Sequence, residues 1–280
     1  STFQIDNGGK YTQTAAVTMG SSIFAGTEVF APNSTVEITA NPTGTSIPTS
    51  PGYGNLILNV TTGSGNFGWS SNITSVQGNF TVLGTGTGAT RHALIGSGAM
   101  TLNIGGDMTI SGGNFWLSSG AGTCTVNLTG NLIVNGGVLD IANSTGAGTI
   151  NLGGNLTVSS GTLTEGGSTT TSKIVFNKTG TQTITGGGTI SNLVNMEVAA
   201  GSATNLASNV TIPGGLSLNT GVLSIGSNTL TLNGAVTGSG TISGSSTSNL
   251  TIGGTAGTLN FTPGFRTLKD LTLNANATAT

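Results

Sequence analysis

A five-residue motif recurs along the central part of this chain at a nearly constant interval. It begins with glycine, continues with an asparagine or aspartate, and then places apolar residues on either side of one intervening residue. The motif begins at Gly54, Gly78, Gly106, Gly130 and Gly154, so the successive intervals along the chain are 24, 28, 24 and 24. A fixed interval of this length is typical of repeat architectures in which each unit stacks on the next.

Each unit contains three short strings in which apolar residues lie two positions apart, the period of a strand with one buried face. In the unit that starts at residue 106 the pairs are Met108/Ile110, Phe115/Leu117 and Val126/Leu128. One unit cannot cover its own apolar strings, whereas stacked units bury them in a common core. We therefore predict an all-β fold, a right-handed parallel β-helix (β-solenoid) with three strands per coil, because parallel crossovers are almost always right-handed. Glycines at the corners are expected to supply the positive φ angles that sharp turns require.

Coil length divides the predicted solenoid into three regions. Residues 1–53 form a less regular β region with the first coils, and residues 54–178 carry regular coils with a repeat of 24. Residues 179–280 continue with coils of about 20, because Val210, Leu230, Leu250 and Leu271 follow at intervals of 20, 20 and 21. Roughly a dozen coils at about 4.8 Å each predict one continuous rod. The strand pattern still runs at the last residues and the chain lacks an initiator Met, so we expect it to be part of a longer protein.

The unit that starts at Gly78 is four residues longer than its neighbours, and the extra residues fall between its first and third strands. This stretch includes Gly84 to Ala93, with Arg91 and His92. Insertions in solenoids usually project from one face as loops. We therefore predict a loop that carries Arg91 and His92, where the pair either contacts a ligand or is simply solvated.

The composition excludes several classes of protein. Only 5% of the residues are charged, and Gly, Thr, Ser, Asn and Val, which propagate helices poorly, are abundant. No apolar run approaches the roughly 18 residues that a membrane span requires. Six Lys and Arg residues in 280 provide no basic patch for nucleic acid. The single cysteine, Cys124, cannot form an internal disulfide and is interpreted as a small buried apolar side chain.

Catalysis is not predicted. Solenoid enzymes that cleave acidic polysaccharides need clustered carboxylates and a bound cation, yet no two of the eight acidic residues lie within eight positions of each other. Asp107 aligns with the asparagines of the repeated motif, which predicts a corner ladder in which aspartate replaces asparagine once. Asp140 should point outward, and Thr164 follows it one coil later. We predict no enzyme activity, no catalytic residue, no cofactor and no metal.

Two tryptophans and a set of threonines are the remaining surface candidates. Trp116 lies between Phe115 and Leu117 and should point outward, where it could stack on a sugar ring or lie beneath a loop or an adjoining domain. Trp69 is open to the same two interpretations. Outward rows of threonine are expected at Thr81, Thr109 and Thr157, interrupted by Ile57 and Ile133. Flat threonine arrays occur on ice-binding solenoids, although threonine is also a common solvent-facing strand residue.

The amino-acid sequences of several repeats resemble those of the β-strand-repeat regions of very large surface proteins of Bacteroidetes. The segments that carry the resemblance are residues 154–164, 173–183, 188–193 and 268–274. The resemblance extends over essentially the whole chain and implies an exported, adhesin-like protein, often one that uses the type IX secretion system. The sorting domain of that route is not visible in this sequence. No functional residue is implied, since the matching positions belong to the core and the turns.

These observations predict a structural or adhesive stalk or filament segment of an extracellular or cell-surface bacterial protein. Its expected partners are neighbouring repeats or domains of the same chain or identical subunits, with surface glycans as a further class; nucleic acid and a membrane span are not expected. The alternative is a glycan- or ice-binding module, with Arg91, His92, Trp116 and Trp69 as candidate ligand contacts. A polysaccharide-active enzyme is the third hypothesis.

Overall fold

The computed structural model describes residues 2–14, 27–40, 52–69, 73–167 and 171–280. All regular elements in these ranges are β-strands, and every pairing between them is parallel. The strands stack as a β-solenoid of about 10 turns. The predicted all-β solenoid fold is therefore confirmed.

Three strands of each regular coil lie on three faces, which we call A, B and C. Face A is one continuous sheet of eleven strands. Its strands are Lys10–Gln13, Thr35–Ile38, Asn55–Val60, Phe80–Thr85, Met108–Ile110, Leu132–Val134, Leu156–Val158, Gly180–Thr185, Ser202–Leu206, Val222–Ser224 and Thr241–Ser243.

Face B follows face A along the chain and consists of a six-stranded sheet and then a four-stranded sheet. The first sheet contains Phe67–Gly68, Arg91–Ile95, Asn114–Ser118, Val138–Asp140, Thr162–Thr164 and Thr189–Ile190. The second sheet contains Val210–Ile212, Thr229–Leu232, Asn249–Ile252 and Asp270–Leu273.

Face C completes each coil, with an eight-stranded sheet between two short two-stranded sheets. The first pair is Thr2–Ile5 with Thr27–Phe30, and the last pair is Thr255–Gly257 with Thr278–Ala279. The central strands are Ser75–Val76, Ala99–Ile104, Thr123–Leu128, Ala147–Leu152, Lys173–Phe176, Asn195–Val198, Leu216–Leu218 and Val236–Thr237. Within the predicted first region, residues 1–53, the described strands thus continue faces A and C.

The interior consists of columns in which like residues stack on like. Ile110 pairs with Val134, and Val134 pairs with Val158. All three side chains are fully buried. Full burial of such a side chain contributes about 1.5–3 kcal/mol relative to leaving it exposed. Because successive coils supply apolar residues to this column, the gain recurs along the axis.

Coil length first rises and then falls at the start of the last third of the chain. On face A, Leu156 pairs with Ile184 at an interval of 28, which the spacing did not predict. On face C the intervals then decrease. Ile174 pairs with Met196 at an interval of 22, and Met196 pairs with Leu216 at an interval of 20. Along face B, Val210, Leu230, Leu250 and Leu271 pair in succession at the predicted intervals of 20, 20 and 21.

The glycines that begin the repeated motif are required by close stacking. None of the five has a positive φ angle, whereas other turn glycines, such as Gly113 and Gly137, do, as predicted for the corners. A Cβ atom added at Gly130 would instead collide with the backbone oxygen of Gly106, and one at Gly154 would collide with that of Gly130. The coils approach each other at this corner so closely that only hydrogen fits.

Candidate functional site

His92 lies in the core. Residues Arg91–Ile95 form a strand of face B, and His92 takes the inward position between Phe67 and Phe115 of the adjacent coils. The predicted loop at Arg91 and His92 is therefore wrong. The register of face A shifts between Leu58 and Asn59, with Asn59 opposite Gly84, so the extra residues precede the strand.

Burial defines the protonation state of His92. Its side chain is fully buried, and its Nδ1 atom accepts a hydrogen bond of 3.0 Å from the Nε1–H group of Trp69. A nitrogen that accepts cannot carry the proton, so the ring is neutral, with its proton on Nε2. Desolvation lowers the pKa of His92 to about 4. Because it is buried in this way, His92 does not present its ring to a ligand in solvent, contrary to its role as a candidate contact.

Trp69 is also a core residue, so its proposed surface role is wrong. Its exposed fraction is 1%, and its ring centroid lies 5.8 Å from that of Phe80 and 5.5 Å from that of Phe115. The Phe80 and Phe115 rings make a further edge-to-face contact with centroids 5.2 Å apart. These rings occupy the interior beside the longer coil, where His92 stands in an otherwise apolar column.

Trp116 points outward from face B, as its position between two buried residues predicts. It is only half-exposed, and the guanidinium carbon of Arg91 lies 4.0 Å from the ring centroid. This is a cation–π contact, worth about 0.5–1 kcal/mol at an exposed site. Since Arg91 covers one face of the indole ring, that face is closed to a sugar.

Asp140 occupies the outward position beside Trp116, with Thr164 in the next coil. No second carboxylate joins this column. The side chain is nonetheless buried. Its Oδ1 atom accepts a hydrogen bond from the Gly166 N–H group and its Oδ2 atom accepts one from Asn143 Nδ2, each at 2.9 Å. Burial raises the pKa of the Asp140 carboxyl, and these hydrogen bonds partly oppose the shift. Asp140 therefore holds together the two turns that contain Asn143 and Gly166 by hydrogen bonds.

The second residue of the repeated motif forms a side-chain ladder along one corner. Each Oδ1 atom accepts a hydrogen bond of 2.7–2.9 Å from the backbone N–H group one coil further on. The ladder consists of Asn55, Asn79, Asp107, Asn131 and Asn155, and it ends on the N–H group of Thr183. The predicted replacement of asparagine by Asp107 is confirmed, since both side chains provide the same acceptor.

Replacing Asn131 by alanine should destabilise the protein by roughly 1 kcal/mol, because the Asn155 N–H group loses its acceptor and Asp107 Oδ1 loses the Asn131 Nδ2 donor. Asn135→Ala is the matched control, since Asn135 is exposed and only its backbone hydrogen-bonds. Asp107→Asn should change the free energy of unfolding by less than about 0.5 kcal/mol. Denaturant titrations of the three variants measure these differences, and equal losses for Asn131→Ala and Asn135→Ala would refute the ladder's contribution.

The outward threonine rows differ in regularity between the faces. On face A, Thr81, Thr109 and Thr157 share one column with Ile133, as predicted. A more regular pattern, which the sequence reasoning missed, lies on face C. There the register aligns Thr101, Thr125 and Thr149 in one column and Asn103, Asn127 and Asn151 in a second. The Thr-x-Asn triplets, which recur at the interval of the repeat, were the signal that could have revealed it.

The asparagine column of face C is internally bonded. Asn127 Nδ2 donates to Asn103 Oδ1, and Asn151 Nδ2 donates to Asn127 Oδ1, each at 2.8 Å. Further along the same face, where coils shorten, a cavity of about 430 Å³ opens on the outer surface. Its polar lining includes Lys173 and Glu197, which the sequence reasoning did not single out.

Metal-binding and redox chemistry have few candidate ligands. Within the described ranges, no three His, Cys, Asp or Glu side chains are close enough together to hold a metal ion. Cys124 is buried, as predicted, and burial raises the pKa of its thiol to about 12.

Across the part of the chain that the structure describes, no helix has the length and apolarity to cross a membrane.

Comparisons with known proteins were made at the level of family, sequence and structure. The chain matches no protein-family model, no curated protein and no solved structure.

Proposed function

We propose that this solenoid is a rigid, non-catalytic stalk or filament segment of a secreted or cell-surface bacterial protein. The observation that carries the proposal is the unbroken sheet of face A, in which eleven parallel strands pair in succession along the axis. At about 4.8 Å per strand this sheet alone spans roughly 50 Å. A rod of this kind holds neighbouring modules at a fixed separation, and its length follows from the number of coils.

The proposed partners of the stalk are neighbouring repeats or domains of the same chain or identical subunits. Within the chain each coil covers the apolar pairs of the one before it, as where Leu271 and Leu273 pair with the buried Leu250 and Ile252. In the proposed stalk, neighbouring units pack by the same parallel strand pairing.

The proposed location is extracellular, and the adhesive role follows from it. It rests on the resemblance of the repeats to exported surface proteins of Bacteroidetes and on the outer surface of threonine and asparagine. Export by the type IX system belongs to the same proposal. Surface glycans are the expected contact in adhesion, since they hydrogen-bond to hydroxyl and amide groups.

Deleting one whole coil tests whether the chain is a spacer of modular length. Removing residues 131–154 joins Gly130 to Asn155 and restores the repeated motif, so every remaining column keeps its register. We expect a folded protein that is about 4.8 Å shorter. Pulsed electron–electron spin resonance between labels at Thr2→Cys and Thr267→Cys measures the change, because Cys124 is buried and does not react.

Deleting only residues 131–142 is the matched control. Half a coil moves each later strand to a different face and exposes apolar columns, so this variant should fail to fold. A broad end-to-end distribution in the intact chain would contradict the stalk proposal. So would a whole-coil deletion that unfolds the protein or leaves its length unchanged.

A further inference from the structure

The outward side chains of face C become smaller where the coils shorten. Its first outward column carries threonines in the regular coils of the central region and then Lys173, which pairs with Asn195. In the next two coils the residues just before Leu216 and Val236 are Gly215 and Ala235. The loss of side chains in this column lowers the surface over two successive coils.

The result is a groove of about 430 Å³ that extends over four coils. Four strands at about 4.8 Å spacing give it a length of roughly 14 Å along the axis. A volume of this size is typical of ligand-binding pockets. Gly215 and Ala235 line it without obstructing it, and Lys173, Asn195, Glu197, Ser217 and Thr237 supply its polar groups.

The two charges in the groove neutralise each other. Lys173 Nζ lies 2.7 Å from Glu197 Oε2, and Glu197 Oε1 accepts a hydrogen bond of 2.9 Å from Asn219 Nδ2. The Lys173 side chain is 39% exposed and that of Glu197 is 16% exposed. An ammonium has three donors and each carboxylate oxygen has two acceptor positions, so both groups retain capacity for a ligand.

We infer that this groove binds a neutral oligosaccharide chain laid along the solenoid axis. Neighbouring hydroxyl groups of a sugar can accept from Lys173 and donate to Glu197. Thr237 can both donate and accept, whereas Ser217 Oγ donates to Asn219 Oδ1 and can accept from the sugar. An anionic ligand gains little from an ammonium that a carboxylate already neutralises. The flat floor at Gly215 and Ala235 leaves room for the sugar rings. This binding role rests on the adhesive part of the proposed function, in which surface glycans are the contact, and not on the stalk.

Isothermal titration calorimetry with the full chain tests the inference. The probes are cellohexaose, xylohexaose, laminarihexaose and mannohexaose, with hexagalacturonate as the acidic comparison. We expect at least one neutral probe to bind and the acidic probe to bind more weakly. Ala235→Leu fills the groove from an exposed position and should weaken binding about tenfold or more. Lys173→Met removes a charged donor and should weaken it by a similar factor.

Thr149→Leu is the matched control, because Thr149 occupies the same outward column of face C outside the groove. It should leave the affinity unchanged, and thermal unfolding should show that all three variants remain folded. The inference is overturned if no neutral probe binds, if the acidic probe binds more tightly, or if Ala235→Leu binds as the unaltered protein does. These results would leave the coil-deletion test of the stalk unaffected.

Discussion

Replacing Phe115 by alanine should destabilise the protein by about 3–5 kcal/mol. Phe115 is fully buried, and its ring centroid lies 5.5 Å from that of Trp69 and 5.2 Å from that of Phe80. Truncation removes the apolar contacts and leaves a cavity among rings that the stacked coils hold in position. Denaturant titration followed by circular dichroism measures the loss.

Trp116→Ala is the matched control on the same strand. Trp116 is the adjacent residue, is larger, and points outward, so its truncation should cost only about 1 kcal/mol, chiefly the Arg91 contact. Comparable losses for the two variants would contradict the assignment of inward and outward faces on this strand. They would also contradict the placement of His92, because it shares the inward column with Phe115.

The second large effect is a loss of stability in acid that depends on His92. The pKa of His92 is about 4 in the folded protein and about 6.5 in an unfolded chain, so between these values only the unfolded state binds the proton. Stability is therefore complete above pH 6.5 and declines as the pH falls towards 4. The difference of about 2.5 units corresponds to roughly 3 kcal/mol.

His92→Phe should remove this part of the pH dependence while keeping an aromatic ring between Phe67 and Phe115. It also removes the acceptor of the Trp69 Nε1–H group, which should cost about 1–3 kcal/mol at every pH. Asp140, whose pKa is raised by burial, contributes in the opposite direction above pH 3.8. That contribution is common to both proteins, so the difference between their pH profiles isolates His92. An unchanged slope in His92→Phe would contradict the assignment.

The proposed stalk role and the proposed groove depend on different residues of the solenoid. A stalk depends on the interior columns and the backbone ladders, which every coil repeats. The groove depends on outward residues that differ between coils, above all the replacement of larger side chains by Gly215 and Ala235. A single rod can therefore serve both roles, because inward and outward positions alternate along each strand and vary independently.

The stacking of the coils could be predicted because it depends on the spacing of apolar residues along the sequence. The columns that contain Ile110, Val134 and Val158 follow from a spacing of 24, and the shorter coils follow from a spacing of 20. The Asp107 ladder follows from the same alignment. Each of these predictions needs only the strand period and the repeat length, both of which can be counted in the sequence.

His92 could not be placed by counting, because the longer coil interrupts the interval on which the alignment depends. Trp69 precedes that coil, and its burial depends on packing against Phe80 and Phe115 of the following coils. The extra residues could lie anywhere between the first and third strands, and only packing of the aromatic rings decides that they precede Arg91. Burial of Asp140 likewise depends on turns from two coils that meet around its carboxylate. The groove on face C depends on coils that are distant in sequence and adjacent in space.

The sequence alone determined that this chain winds into stacked parallel coils, that the coils of the last third are shorter, and which aliphatic residues form the interior columns. The tertiary structure alone decided which polar and aromatic side chains near the longer coil are buried and where the outer surface is concave. The reason is physical. A periodic pattern defines the register of backbone pairing, whereas burial at an irregular coil depends on how neighbouring turns fill the space between them.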